Sequence, residues 1–169
     1  LLVYRGDAPE EMAADEAIDS LRGDLGFPLQ YGYAAVGRVT ETGTNVDGDW
    51  AGERAFAFQP HQSHFLASPD DLHRVPEGLS AAEAAFLPNV ETAVNLLLDG
   101  DPRVGEQATV FGQGLVGLLT TDLLADCPLA DLVALDCYPE RRELAREMGA
   151  DRALAPDDAP DGVREALDA

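Results

Sequence analysis

Six residues limit what this chain can fold into more than any others: Gly112-Gln113-Gly114-Leu115-Val116-Gly117. They follow the apolar run Thr109-Val110-Phe111 and open a second apolar stretch, Leu115 to Ala125. A G-x-G-x-x-G spacing is weak by itself; between a strand and a helix each glycine has a task. Gly112 permits the tight turn, Gly114 lets backbone approach a pyrophosphate, and Gly117 lets the helix pack close to the strand. The free N–H groups and dipole of the helix start then favour an anion. A second apolar run, Leu132 to Leu135, ends at Asp136, near the spacing of about 20 residues at which a carboxylate grips an adenosine ribose. That carboxylate repels a 2′-phosphate, which favours NAD over NADP. Arg141 and Arg142 lie nearby and keep NADP open, since an arginine can receive the phosphate. The expected cofactor-binding set is Gly112, Gln113, Gly114, Leu115, Val116, Gly117, Asp136 and Arg141. A methyltransferase loop for S-adenosylmethionine is the rival, and the β-rich segment upstream argues against it.

Around this loop the pattern alternates. Ala108 to Phe111 reads as strand, Leu115 to Ala125 as helix, and Leu132 to Leu135 as strand. Glu140 to Met148 reads as an amphipathic helix with Gly149 as its C-cap, and Asp151 to Ala155 starts a third strand. This β-α-β-α-β order predicts a parallel sheet. Upstream, strands are expected at Tyr33 to Thr40, Arg54 to Gln59 and His64 to Ala67, with a surface helix over 9–22. Ser80 and Glu83 fit a capping box opening a helix to residue 87. Pro88 is expected to break it before a second helix over 89–98. The fold class is therefore α/β plus β: a β-rich domain with linking helices over 1–100, then an α/β domain over 101–169.

Charge narrows the partners. The net charge is -21, and all 11 basic residues are Arg. Such a surface repels nucleic acid and anionic membranes. The acids are dispersed and the apolar periodicity is regular, so this is not a disordered acidic chain. The composition resembles that of halophile proteins, whose self-repulsion is screened at a Debye length of about 3 Å in 1 M salt. The bland reading is an ordinary acidic protein. No run of 18 apolar residues occurs, and Leu1 to Arg5 lack a signal-peptide layout. Two isolated cysteines, Cys127 and Cys137, suit a reducing compartment, and a cytoplasmic location is expected. The chain opens without Met and stops after a third strand begins, so it reads as part of a longer protein.

Five features in order resemble the medium-chain dehydrogenase/reductase superfamily. Gly32-Tyr33-Ala34-Ala35-Val36-Gly37-Arg38-Val39 is similar to its G-H-E-x-x-G-x-V strand, and Gly52-Glu53-Arg54-Ala55-Phe56 to its G-D-R-V turn. Val75-Pro76-Glu77-Gly78-Leu79-Ser80 resembles its P-x-G-L-S linker. The Gly112 to Gly117 loop and Glu147-Met148-Gly149-Ala150-Asp151 complete the set. Tyr31-Gly32-Tyr33, Pro60 to His64 and Glu91-Thr92-Ala93 most resemble the bacteriochlorophyllide a dehydrogenase-like branch. The resemblance implies a partial GroES-like β domain followed by the first half of a Rossmann sheet. It also implies hydride transfer between NAD(P) and a small-molecule alcohol, carbonyl or enone, and a homo-oligomer at full length. The alternatives are a non-catalytic dinucleotide sensor or interaction protein, and an inactive truncated paralogue.

The departures bear on metal. Tyr33 and Ala34 stand where the zinc-dependent members carry the His and Glu of G-H-E. The later ligand position falls near Leu87-Pro88, which offers no donor, and the four-cysteine structural-zinc lobe is absent. A catalytic zinc needs three protein ligands and a water, so none is expected by that route. Without zinc, the expected catalytic candidates are Tyr33, His61, His64 and Thr92. Tyr33 can donate to a developing alkoxide, or can be ordinary core. His61 and His64 can relay protons, can ligate a metal with a third group, or can be plain loop histidines. Thr92 can bond cofactor or substrate, or merely start a helix.

Overall fold

The computed structural model describes residues 31–160 and residue 163. The helix expected over 9–22 lies outside these residues. Two compact units divide at Phe86 and Leu87.

The first unit is built on an antiparallel sheet of three short strands, β1 (Ala35–Arg38), β2 (Arg54–Ala57) and β3 (His73–Arg74), in that order. Ala35 faces Ala57 and Arg38 faces Arg54 across the first pair, while Phe56 faces His73 across the second. Ala55, Phe56 and Ala57 are buried, and Phe56 packs edge-on against Phe58 at 5.1 Å. The strands are shorter than expected. Tyr33 sits on a bend before β1. β2 stops before Pro60, whose nitrogen has no proton for a ladder. No strand forms at His64 to Ala67. Leu66 there is almost fully exposed, and a 3-10 turn at Pro69–Asp71 intervenes before the chain returns to β2 as β3. Alternation alone cannot say which extended run finds a partner.

Linker and sheet are joined by polar contacts. The Arg54 guanidinium donates to the Leu79 carbonyl at 2.7 Å. Arg74 lies over the Trp50 ring at 4.2 Å, donates to the Asp49 carbonyl at 2.8 Å and pairs with Glu53 at 3.3 Å. The capping box forms as expected: the Glu83 N–H donates to Ser80 Oγ (3.1 Å) and the Ser80 N–H to Glu83 Oε2 (2.7 Å), opening the single turn α1 (Ala81–Ala84).

The second unit begins with α2 (Leu87–Gly100). The two helices are separate, as expected, but the gap falls at 85–86, and Pro88 lies in the first turn of α2. A proline in the first turn removes an N–H that has no helical partner in any case. α2 thus clusters with the parallel sheet, whereas the sequence reading grouped the linking helices with the first domain. β4 (Gln107–Phe111), α3 (Leu115–Ala125), β5 (Asp131–Leu135), α4 (Pro139–Glu147) and β6 (Arg152–Leu154) follow the expected order. The strands run parallel in the order β4-β5-β6, with Phe111 beside Leu135 and Leu135 beside Leu154. β5 is the central strand and is buried on both faces. Leu132 and Ala134 join Leu124, Ala145 and Ala153 on one side, while Val133 and Leu135 join Ala159 on the other. A continuous apolar run is what a parallel strand covered on both faces requires.

Candidate dinucleotide site

The parallel register creates the site. Because Phe111 and Leu135 are level, the residues that follow them emerge together at the carboxyl edge of the sheet. The Gly112 N–H donates to the Leu135 carbonyl at 2.8 Å, continuing the ladder one step past β4. Gly112 then takes φ 81°, a left-handed conformation that glycine adopts without a Cβ penalty, and the chain turns into α3. Gly117 must pass the turn closely: a Cβ there would lie 1.8 Å from the Gly112 carbonyl oxygen. A Cβ on Gly114 would meet nothing within 4 Å. Gly114 is the N-cap of α3 and has no side chain to bond the amides of the first turn. Leu115, Val116 and Gly117 are those first-turn residues, whose N–H groups have no partner within a helix. The loop also forms one wall of a cavity of about 660 Å³, shared with Leu96, Leu97, Val110 and Thr120.

Asp136 is aimed at the loop. It is buried, and its carboxylate accepts from the Gln113 N–H (Oδ2, 2.7 Å) and the Tyr138 N–H (Oδ1, 2.8 Å), with the Arg141 guanidinium 3.5 Å from Oδ2. Burial pushes this carboxyl's pKa up. The Tyr138 and Gln113 amides and the Arg141 charge outweigh that and hold it below its ordinary value. An ionised carboxylate offers about four acceptor directions. Three of them are met here, by the Gln113 and Tyr138 amides and the Arg141 guanidinium.

The two arginines divide their work. Arg142 donates through Nη1 to the carbonyls of Asp136 (2.8 Å) and Cys137 (3.0 Å), closing the end of β5. Arg141 stays half exposed, with its guanidinium 5.0 Å from the centre of the Tyr138 ring. Of the pair, Arg141 is the more exposed. Tyr138, exposed at the rim, had no role in the sequence reading. Its position two residues after Asp136 and one before Pro139, the first residue of α4, was the available signal.

Gln113 is placed differently from its neighbours in the expected cofactor set. Its side chain is fully buried, with Nε2 donating to the Val110 carbonyl (3.1 Å) and Oε1 accepting from Thr121 Oγ1 (3.0 Å). Its N–H is already given to Asp136. Gln113 therefore has neither its side chain nor its amide to offer a phosphate. Thr121, two turns along α3, was not singled out in the sequence.

Of the four expected catalytic residues, Tyr33, His61 and His64 belong to the first unit and Thr92 to the second. In the first unit the His61 N–H donates to the Tyr31 carbonyl at 2.7 Å, and the His61 ring meets Tyr31 edge-on at 5.9 Å. That ring lies over Gly32, where a Cβ would come within 2.2 Å of it. His64 is exposed, and Tyr33 is about half exposed on its bend. Thr92 belongs to the second unit. It lies in the second turn of α2 rather than at its start, and its hydroxyl donates to the Pro88 carbonyl at 2.9 Å. Among the described residues, no three His, Cys, Asp or Glu side chains gather as a metal site.

No family model matches the sequence. Individual proteins do. The chain is 31% identical over 175 residues to L-threonine 3-dehydrogenase of Streptomyces coelicolor, covering 82% of this chain and 49% of that protein. It is 26% identical over 150 residues to (R,R)-butanediol dehydrogenase of Bacillus subtilis, covering 73% and 43%. Among solved structures, the quinone oxidoreductase of Thermus thermophilus, also determined with NADPH, superposes with a TM-score of 0.58 at 28% identity, over 71% of this chain and 42% of that one. The chain belongs to the medium-chain dehydrogenase/reductase family. The antiparallel sheet and the parallel β4-β5-β6 sheet are accordingly the GroES-like and Rossmann parts of that family's fold. The chain spans less than half the length of these medium-chain relatives.

Proposed function

We propose that this medium-chain dehydrogenase/reductase chain binds NAD(H) and serves hydride transfer between the nicotinamide and a small alcohol, carbonyl or enone. The observation that carries the reading is the meeting of the uncapped α3 start with the Asp136 carboxylate at one edge of the parallel sheet. The amides of Leu115, Val116 and Gly117 would hold the pyrophosphate, beside the open space at Gly114. The remaining acceptor direction of Asp136 would take a ribose hydroxyl. That ionised carboxylate disfavours a 2′-phosphate. Arg141, already 3.5 Å from it, is the residue through which NADP would enter if it enters at all. When bound, the nicotinamide supplies the redox chemistry, and the protein supplies position and electrostatics.

Two of the family's zinc positions fall in this chain on residues that offer no usual zinc ligand. Tyr33 is a phenol on a bend, and Leu87 and Pro88 open α2 with no donor atom in their side chains. The proposal is therefore a reaction without zinc at that place, with Tyr33, His61, His64 and Thr92 as the candidates for polarising a carbonyl or moving a proton. All four are exposed. Thr92 can accept a hydrogen bond as it stands, but must leave the Pro88 carbonyl to donate one. A homo-oligomer in the cytoplasm, near the bacteriochlorophyllide a dehydrogenase-like branch, completes the proposal.

The test is titration of the protein with NADH, NADPH and S-adenosylmethionine in molar KCl, followed by turnover against a panel of alcohols, aldehydes and enones. Preferential NADH binding with turnover supports the reading. Binding without turnover supports a dinucleotide sensor instead, and no dinucleotide binding overturns both. Metal analysis of the same sample is expected to find no stoichiometric zinc; one tightly held zinc per chain overturns the zinc-free reading.

A further inference from the structure

The glycine loop is held from beneath by a buried polar relay that no phosphate contact accounts for. Gln113 is fully buried in a segment whose neighbours line an open cavity. Its side-chain amide joins the end of β4, through the Val110 carbonyl, to the second turn of α3, through Thr121 Oγ1. Its backbone N–H continues to Asp136 Oδ2 at the end of β5, and the other carboxylate oxygen receives the Tyr138 N–H just before α4. Thr121 is itself fully buried. Four elements that meet at the sheet edge are thus tied to one residue. Every buried side-chain polar atom among the described residues has a partner. A fully satisfied buried network of this kind rigidifies what it joins.

We infer that Gln113 and Thr121 are positioning residues for the dinucleotide: they set the direction of the loop peptide and of the Asp136 carboxylate without touching the ligand. The inference rests on the proposed dinucleotide site and adds to it a control point buried behind the loop. The physical reason is the cost of the alternative. With the Thr121 hydroxyl gone, Gln113 Oε1 is a buried acceptor with no donor, which is unfavourable. The side chain regains a partner by turning outward. Turning outward carries the 112–114 peptide with it and withdraws the Gln113 N–H from Asp136. The ribose acceptor and the phosphate amides then lose their common frame.

The experiment compares Thr121→Val, Thr121→Ser and the double variant Gln113→Met/Thr121→Val in the full chain. Three quantities are followed: NADH affinity by fluorescence titration, melting temperature, and the titration of the Asp136 carboxyl by carbon NMR. Thr121→Val is nearly isosteric and is expected to weaken NADH binding by about fivefold or more, the effect of one unpaired buried acceptor. The Asp136 titration should move up in the same variant, because it loses an N–H that favours its ionised form. Thr121→Ser keeps the hydroxyl and should restore both. The double variant leaves no unpaired side-chain atom but also removes the bonds to Val110 and Thr121 that fix the direction of the loop peptide, so its melting temperature should stay near that of wild type while its NADH affinity stays low. This arm keeps the test decisive should Thr121→Val fold poorly. If the double variant binds NADH as tightly as wild type, or if Thr121→Val lowers the melting temperature while leaving affinity and the Asp136 titration unchanged, the pair is structural only and the inference fails. If wild type itself does not bind NADH, the proposed function fails first and takes this inference with it.

Discussion

Substituting Gly117 and Gly114 separately should divide the cost of building the loop from the cost of blocking it. In Gly117→Ala the new Cβ begins 1.8 Å from the Gly112 carbonyl oxygen, and real contacts of this kind stay above 3.0 Å. The start of α3 and the turn must therefore part by more than an ångström. The obstacle is backbone, which cannot rotate away as a side-chain tip can. Overpacking a close-packed site costs about 1–3 kcal/mol. In a unit of this size that corresponds to a fall in melting temperature of about 5–20 °C. Gly114→Ala is the counterpart. Gly114 has an extended backbone (φ -79°, ψ -164°) that any residue adopts, and its Cβ would stand in open space. Its melting temperature should stay within about 4 °C of wild type, as for a substitution costing under about 0.5 kcal/mol. That same open space is where the proposed pyrophosphate lies, so NADH affinity should drop about tenfold or more. Calorimetry and NADH titration on both variants read the two effects apart. The reasoning is refuted if Gly117→Ala melts like wild type, or if Gly114→Ala keeps full affinity for the dinucleotide.

Asp136→Asn replaces an acceptor with a donor facing either the Gln113 or the Tyr138 N–H, and should cost about 1–3 kcal/mol in chemical denaturation along with most NADH affinity. The Asp136 carboxyl titrates below its ordinary 3.8, because the Tyr138 and Gln113 amides and Arg141 outweigh its burial. Its stabilising contribution is therefore full above pH 3.8 and is lost as pH falls through the lower folded value; an acid titration of Asp136→Asn should lack that component. Ser80→Ala removes one half of the α1 capping box and should cost roughly 1 kcal/mol, read as faster hydrogen exchange at the Glu83 amide. At a net charge of -21, stability should rise between dilute buffer and molar KCl; a melting temperature indifferent to KCl contradicts the proposed halophilic adaptation.

The α/β half was legible to within a residue or two. Its signals are local: apolar runs of the right length, a glycine spacing that only a strand-turn-helix context satisfies, and an amphipathic helix followed by Gly149. The β half was less legible. The expected strand at His64 to Ala67 is absent, while His73–Arg74, a pair too short and polar to stand out, is one. A strand is defined by its partner, and the partner is remote in sequence. The break between the two linking helices was legible near Pro88 but falls slightly earlier, at 85–86, because a proline is tolerated in the first turn of the helix it opens.

By itself, the order of residues determined the β-α-β-α-β pattern, the glycine turn and the presence of an acid at the end of the second strand. Each follows from backbone sterics and from hydrophobic spacing over neighbouring residues. Only the tertiary structure decided that Gln113 faces the core rather than a ligand, that Arg142 closes a strand end while Arg141 stays open, and that Thr121 sits behind the loop. Those choices depend on which polar groups a fold brings within about 3 Å of one another. That proximity is set by the pairing of β4 with β5 and the seating of α3 against them, and no local pattern encodes it.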